Sequence, residues 1–248
     1  MRAVFLGATK GMGRSLARRM AEAGHDLFLL GREADDLSRS AKDLEIRRGN
    51  GHFVGHATCD LERPDDFSPA LDAADEHLDG FDAVIVTAGL FAPQERLESD
   101  ESFARRMLTV NYVGTIGFCE QARRRLLDRG GGTLCVFSSV AGERGRKPVV
   151  LYGSSKAGLS AYLEGLDHRY HDRGLRIVCV KPGFVRSGMT QGLKGPPSFL
   201  QGECDEVAER VMNALERGTP VVYAPAIWAP TMAVIRALPR FVMRRVGF

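Results

Sequence analysis

Tyr152 and Lys156 stand four residues apart in Tyr152-Gly153-Ser154-Ser155-Lys156. On a helix that spacing puts both side chains on one face. A phenol titrates near pH 10 and is a poor acid or base at neutrality. An ammonium about 4 Å from the phenol oxygen, at an effective dielectric of about 20, supplies ~4 kcal/mol. That equals about three pKa units, so the pair is expected to bring the phenol toward neutrality. Alone the pattern is common by chance. Ser139 ends a strand-like run thirteen residues before Tyr152, and strand ends face the ligand crevice of open α/β sheets. Asn111 lies inside the apolar stretch Val110-Asn111-Tyr112-Val113-Gly114 of a long helical segment. Asn is a weak helix former; a kink or a bond to backbone is the plain alternative to a chemical role.

A second group of residues suits a phosphate. Leu6-Gly7-Ala8-Thr9-Lys10-Gly11-Met12-Gly13 joins the first strand to the first helix. Its glycines let the chain turn tightly and bring backbone N–H groups close to a pyrophosphate, and the helix end adds partial positive charge. Gly7, Thr9, Lys10, Gly11, Met12 and Gly13 are therefore candidate cofactor contacts. The second strand ends Leu29-Leu30-Gly31-Arg32. An acid there would accept the ribose 2′-hydroxyl of NAD. Gly31 offers none, and Arg32 offers a fork for phosphate. Arg32 and Lys10, with no anion evident, favour NADP, with NAD second. The alternative is an Arg32 that pairs with Asp35.

These groups need a sheet to hold them. Strands are expected at residues 3–6, 26–30, 52–57, 81–87, 132–138, 176–180 and 220–223, most of them short apolar runs as in strands buried on both faces. Amphipathic helices are expected at residues 14–23, 33–47, 65–78, 102–127, 154–172 and 205–217. Gly24, Gly49 with Gly51, Gly80, Gly174 and Gly218 supply stops. Alternating strands and helices predict an α/β fold: a doubly wound, Rossmann-like parallel sheet in a single domain with helices on both faces. Residues 1–225 are expected to form the NADP-binding catalytic domain, with a substrate lid at about 187–204, and residues 226–248 a basic amphipathic tail.

Gly7-x-x-x-Gly11-x-Gly13, Asp60, Thr87-Ala88-Gly89, Asn111, Ser139, Tyr152 with Lys156, and Pro182-Gly183 occur in order. Over about residues 1–190 the chain resembles the short-chain dehydrogenase/reductase family, in its compact single-domain class. The resemblance implies that Tyr152 is the general acid for carbonyl reduction and that Ser139 holds the substrate oxygen. It implies that Lys156 lowers the phenol pKa and binds the nicotinamide ribose, while Asn111 orders a water in a proton relay. Asp60 would meet the adenine with Leu61 beside it, and Ala88 and Gly89 would lie along the cofactor. Pro182, Gly183, Val185 and Ser187 would contact it from the other side. Leu6 stands where the family often has Thr or Ser, Thr87 where it has Asn, and Ser187 where it commonly has Thr. The Tyr–Lys spacing differs from the enoyl-reductase branch, and the length differs from the epimerase branch. A homodimer or homotetramer is the expected assembly.

Hydrophobic residues make up 44% and charged residues 26% of the 248, which excludes a disordered chain. No apolar run reaches the ~18 residues of a spanning helix, and no signal peptide is evident. Five widely spaced cysteines without a C-x-x-C pair suit a reduced, cytoplasmic setting. The net charge is +3; residues 217–248 carry five arginines and no acid, leaving 29 bases against 31 acids elsewhere. That is too narrow a basic face for general nucleic-acid binding. His168 and His171 stand three apart on the fifth predicted helix without an evident partner, so no metal site is expected. Arg123-Arg124-Arg125 suits a helix C-terminus; with Arg129 and Arg173 it is alternatively a docking patch for an acidic carrier.

Met189, Leu193, Phe199 and Leu200 in the segment after Val185 point to an apolar or lipid-like carbonyl substrate, or to simple packing of a lid. In the tail, Arg236, Arg240 and Arg244 share one stripe at helical spacing, opposite Val234, Ile235, Leu238, Val242 and Val246. Pro239 should split that helix. Such a segment can lie at a membrane interface, which would place the protein peripherally at the inner membrane surface; otherwise it packs on the body or on a sister subunit. Pro225-x-x-Trp228 and Leu238-Pro239-Arg240 are similar to short stretches of reductases acting on lipid-linked substrates such as decaprenylphosphoryl-keto-pentoses. The expected activity is NADP(H)-dependent interconversion of a carbonyl and a secondary alcohol. A ketoreductase for carrier-bound acyl chains and a non-catalytic NADP-sensing protein are the alternatives; intact Ser139, Tyr152, Lys156 and Asn111 argue against the second.

Overall fold

A computed structural model describes residues 1–49 and 52–246; Gly51 and the last two tail residues lie outside the described residues. Seven parallel strands form one sheet in the order β3-β2-β1-β4-β5-β6-β9. They are β1 (Arg2–Leu6), β2 (Asp26–Gly31), β3 (Gly55–Thr58), β4 (Ala83–Val86), β5 (Gly132–Phe137), β6 (Leu175–Pro182) and β9 (Val221–Ala224). The chain winds outward from β1 through β2 to β3, then returns to place β4 on the other side of β1. The crevice therefore opens beyond the carboxyl ends of β1 and β4.

Strand alternation builds two cores. Ala3 and Phe5 of β1 face α1 (Gly11–Glu22), α2 (Ala34–Arg48) and α8 (Cys204–Arg217) through Leu16, Leu37 and Val211. Val4 and Leu6 face α3 (Phe67–Leu78), α6 (Thr115–Asp128) and α7 (Val150–Tyr170) through Leu71, Phe118 and Leu163. Both faces of the sheet are covered, which explains the continuous apolar strands.

The helix expected at 102–127 is interrupted. It is α5 (Glu101–Leu108), a π-helical stretch over Thr109–Gly114, and then α6. The Thr115 hydroxyl donates to the Val110 carbonyl five residues back at 2.7 Å, and any Cβ at Gly114 would strike the Leu61 carbonyl. A short helix α4 (Gln94–Ser99) precedes α5, which starts one residue earlier than expected because Asp100 caps it, accepting from Phe103 N at 3.0 Å. Two further strands, β7 (Phe184–Arg186) and β8 (Gln201–Glu203), pair with each other at the two ends of the 187–200 segment. The tail is α9 (Trp228–Ala237), a break at Leu238-Pro239, and α10 (Arg240–Met243).

Candidate active site

Four chain segments converge at the carboxyl edge of the sheet. Ser139 follows β5 and caps a single 3₁₀ turn, its hydroxyl accepting from Ala141 N at 3.1 Å and donating to the Pro182 carbonyl at 3.4 Å. Tyr152 lies in the first turn of α7, held edge-on at 90° by Phe91 with ring centroids 4.9 Å apart. Lys156 follows one turn later and is 5% exposed. Its ammonium donates to the Phe137 carbonyl at 2.9 Å and lies 6.0 Å from the centre of the Tyr152 ring.

That placement corrects the expected pKa of the phenol. Burial pushes Tyr152 up to about 12, with the Ser139 hydroxyl beside it acting in the opposite sense. Burial pulls Lys156 down to about 8. The lysine is turned toward a backbone carbonyl, so desolvation outweighs the attraction reckoned from a 4 Å approach. The phenol accordingly keeps its proton at neutral pH, which suits an acid.

Asn111 is fully buried in the π-helical stretch. Its amide clamps one residue, the carbonyl accepting from Leu90 N and the NH₂ donating to Leu90 O, both at 2.7 Å. It lies behind the cavity wall: a Cβ on Gly89 would stand 3.1 Å from Asn111 Oδ1 and 3.7 Å from Lys156 Nζ. Asn111, Gly89 and Lys156 are thus in one cluster, although Asn111 itself does not reach the cavity surface.

Ser139, Tyr152 and Lys156 line a cavity of about 860 Å³, together with Met12, Pro182, Gly183, Val185 and Ser187. Beside it lies a smaller cavity of about 210 Å³, lined by Gly7, Thr9, Lys10, Arg32, Asp60, Leu61 and Ala88. Thr87, Gly89, Leu90 and Met189 line both. Gly11 and Gly13 line neither. Gly7 has φ +101°, and Gly13 packs so tightly that a Cβ would strike the Gly7 carbonyl and stand 2.5 Å from the Thr87 hydroxyl. Thr87, which stands where the family has Asn, donates to Gly7 O at 2.9 Å. No side chain caps the N-terminus of α1 and no acid stands in its first turn, so its leading N–H groups remain available to an anion. These features fit a dinucleotide laid across both cavities.

The cation arrangement differs from the sequence expectation. Lys10 is paired with Asp36 at 2.9 Å, an anion brought to the mouth by the first turn of α2. Arg32 is exposed and makes no ion pair among the described residues, with Asp35 or any other acid. Asp60 turns its carboxylate back on its own loop, accepting from Glu62 N at 3.0 Å.

Sequence reasoning missed part of the large cavity. Trp228, Thr231 and Ile235 of α9 and Leu238 after it form one wall. Trp228 donates to the Leu200 carbonyl at 2.9 Å, tying the tail to the 187–200 segment, and its indole occupies the space a Cβ on Gly183 would need. Met232 and Ile235 are buried against Val140 and Leu200. The apolar arc of the tail is therefore divided: Ile235 is buried, Leu238 and Val242 half-buried, and Val234 is 64% exposed. Trp228, the only tryptophan, was the available signal.

The loop after Ser139 is anchored by Glu143. Its side chain is 3% exposed and accepts from Lys181 Nζ and the Tyr223 hydroxyl, both at 2.7 Å. Of the arginines considered as a carrier-docking patch, Arg124 is exposed and unpaired among the described residues, and the other four are engaged within the chain. Arg123 pairs with Glu120, Arg125 with Asp72 at 2.5 Å and Arg129 with Asp75 at 2.6 Å, while Arg173 stacks over Tyr170. His171 lies 3.9 Å from the Asp167 carboxylate.

Residues 2–196 match the short chain dehydrogenase family. The chain belongs to that family. It is an oxidoreductase acting on CH–OH and C=O groups, and the family binds NAD or NADP. An uncharacterized oxidoreductase of Mycobacterium tuberculosis is 33% identical over 245 residues, covering 98% of this chain and 96% of its own. Carbonyl reductase family member 4 of Xenopus tropicalis is 28% identical, over 86% of this chain and 90% of its own. A crystal structure of an actinorhodin polyketide ketoreductase with NADPH superposes with a TM-score of 0.79 at 21% identity, over 89% of this chain and 94% of that one; at that identity the likeness is one of fold. No helix among the described residues is long and apolar enough to cross a membrane.

Proposed function

We propose that the protein is an NADP(H)-dependent reductase or dehydrogenase that interconverts a carbonyl and a secondary alcohol on an apolar, lipid-like substrate. The observation that carries this reading is the meeting of Ser139, Tyr152 and Lys156 on one wall of a large cavity otherwise lined chiefly by apolar side chains, including Phe184, Leu193, Trp228 and Ile235. When bound, the nicotinamide cofactor supplies or accepts the hydride. The chain supplies the rest. Ser139 Oγ holds the substrate oxygen, and Tyr152 Oη gives that oxygen its proton in reduction and takes it back in oxidation. Lys156 places a positive charge behind the phenol, and Asn111 holds the backbone of Leu90 and so the position of Gly89 against the cofactor. The wall from α9 and the lid from 187 to 204 exclude water. Residues 1–225 are read as the catalytic unit, with the tail completing its substrate wall.

The NADP assignment rests on Gly31, which has no carboxylate, and on the unpaired Arg32 at the small cavity. Lys10 contributes less, because Asp36 already neutralises it.

Tyr152→Phe tests the chemistry. It removes the proton donor and keeps the ring against Phe91. Turnover of a ketone should fall by at least about 10²-fold, the lower range for general acid catalysis, with cofactor binding retained. Parent-like turnover in the Phe variant refutes the assignment.

A further inference from the structure

Arg146 lines the large cavity and does not line the smaller one beside the glycine loop. Its Nε is enclosed without a hydrogen-bond partner. No other nitrogen of its guanidinium bonds or pairs with any described residue. Two neighbouring charged side chains are tied down elsewhere: Glu143 Oε1 accepts from Lys181 and Tyr223, and Arg144 donates to the Leu238 carbonyl at 2.8 Å. Glu143 Oε2 has no hydrogen-bond partner, and Glu95, the acid lining the same cavity, is exposed and makes no ion pair with Arg146. Arg146 is thus held on a loop anchored at two points, yet its own fork is left free.

Arg146 is half-buried, and a guanidinium whose Nε is enclosed at an apolar wall without an anion is costly. Desolvation pulls its pKa below the usual arginine value, but arginine does not lose its proton in proteins, so the charge stays. The surrounding wall is mostly apolar, and a charge in such surroundings requires a partner. The forked donors suit a carboxylate or phosphate bound through two oxygens. Lys194 on the lid is a second cation at the same cavity but is exposed.

We propose that Arg146 is the recognition residue for a single oxyanion group, phosphate ester or carboxylate, carried by the otherwise apolar substrate. This rests on the reading that the large cavity takes the carbonyl compound. It narrows the substrate class from apolar ketones to amphiphilic ones with one anionic group. It also separates two kinds of anion site: the glycine loop and Arg32 for the cofactor, and Arg146 for the substrate.

The test uses Trp228, the chain's one tryptophan, which lines the same cavity. The full chain, with and without NADP, is titrated with decyl phosphate, decanoate and 1-decanol while its tryptophan emission is followed. A charge-assisted hydrogen bond corresponds to about ten-fold or more in affinity. The parent should bind decyl phosphate or decanoate at least about ten-fold more tightly than decanol. In Arg146→Gln that ratio should fall to within about two-fold of one, while Arg146→Lys, which keeps the charge and loses the fork, should retain part of it. The anion whose preference depends more on Arg146 identifies the group as phosphate or carboxylate. Equal binding of anions and decanol by the parent overturns the proposal. So does a preference that survives in Arg146→Gln, or a parent that binds none of the three. The readout needs no turnover. A parent that prefers anions but reduces no ketone sinks the role of Tyr152 alone, whereas one that reduces ketones without that preference sinks Arg146 alone.

Discussion

Met232→Ala separates a tail that builds the substrate wall from one that leaves the body. Met232 is 0% exposed, lies between Trp228 and Ile235 on the inner face of α9, and packs in a cluster with Val140. Truncating a buried Met costs about 2–5 kcal/mol, through lost transfer energy and the cavity left behind. A value near 3 kcal/mol lowers the melting temperature by about 6–12 °C in a chain of this size. Two residues further on, Val234 is 64% exposed, and Phe241 of α10 is 61% exposed. Substitution of either by Ala should stay within about 0.5 kcal/mol. Differential scanning calorimetry of the three variants, with circular dichroism to confirm folding, gives the comparison. An interfacial tail makes the opposite ranking: Met232→Ala leaves the melting temperature alone, while Val234→Ala and Phe241→Ala weaken co-sedimentation with anionic vesicles at low salt. An unchanged melting temperature for Met232→Ala would refute the packing argument and return α9 to the membrane reading.

Arg32→Ala should weaken NADPH by about 1.5–3 kcal/mol, as for a lost charged hydrogen bond, and leave NADH nearly untouched. Lys10→Ala should do less because Asp36 holds that lysine, and Asp36→Ala should strengthen NADPH by releasing it; isothermal titration with both cofactors decides, and equal losses for NADPH and NADH exclude a 2′-phosphate contact. Lys156 has its pKa lowered from 10.5 to about 8, so below pH 8 the folded state carries the full cost of its buried charge, roughly 3 kcal/mol at ~1.4 kcal/mol per unit. Between pH 8 and the unfolded value the unfolded chain binds more protons, so this group makes stability rise with pH across that window. Relative to Lys156→Met, the parent without cofactor should therefore gain stability from pH 8 to pH 10 in parallel denaturant titrations; a constant difference means the ammonium is not desolvated.

All seven strands of the main sheet were evident in the sequence: the inner ones because strands covered on both faces must be apolar throughout, and the edge strand β3, with His56 and Thr58 exposed, from its place in the alternation of strands with helices. The glycine loop, Ser139 and the Tyr152–Lys156 pair were likewise readable, because their chemistry depends on residue type and on spacing along one local element. Other features depend on residues far apart in the chain. Within the π-helical interruption the Asn111 amide bonds to Leu90, 21 residues away. The state of Lys156 is decided by the Phe137 carbonyl and by burial, neither of which its own helix reveals. Asp36 reaches Lys10 only because α2 starts beside the glycine loop. The wall made by α9 and the free fork of Arg146 belong to the same class. Local sequence records which groups are present and their helical or strand period; only the folded chain determines which of those groups are desolvated and which find a partner.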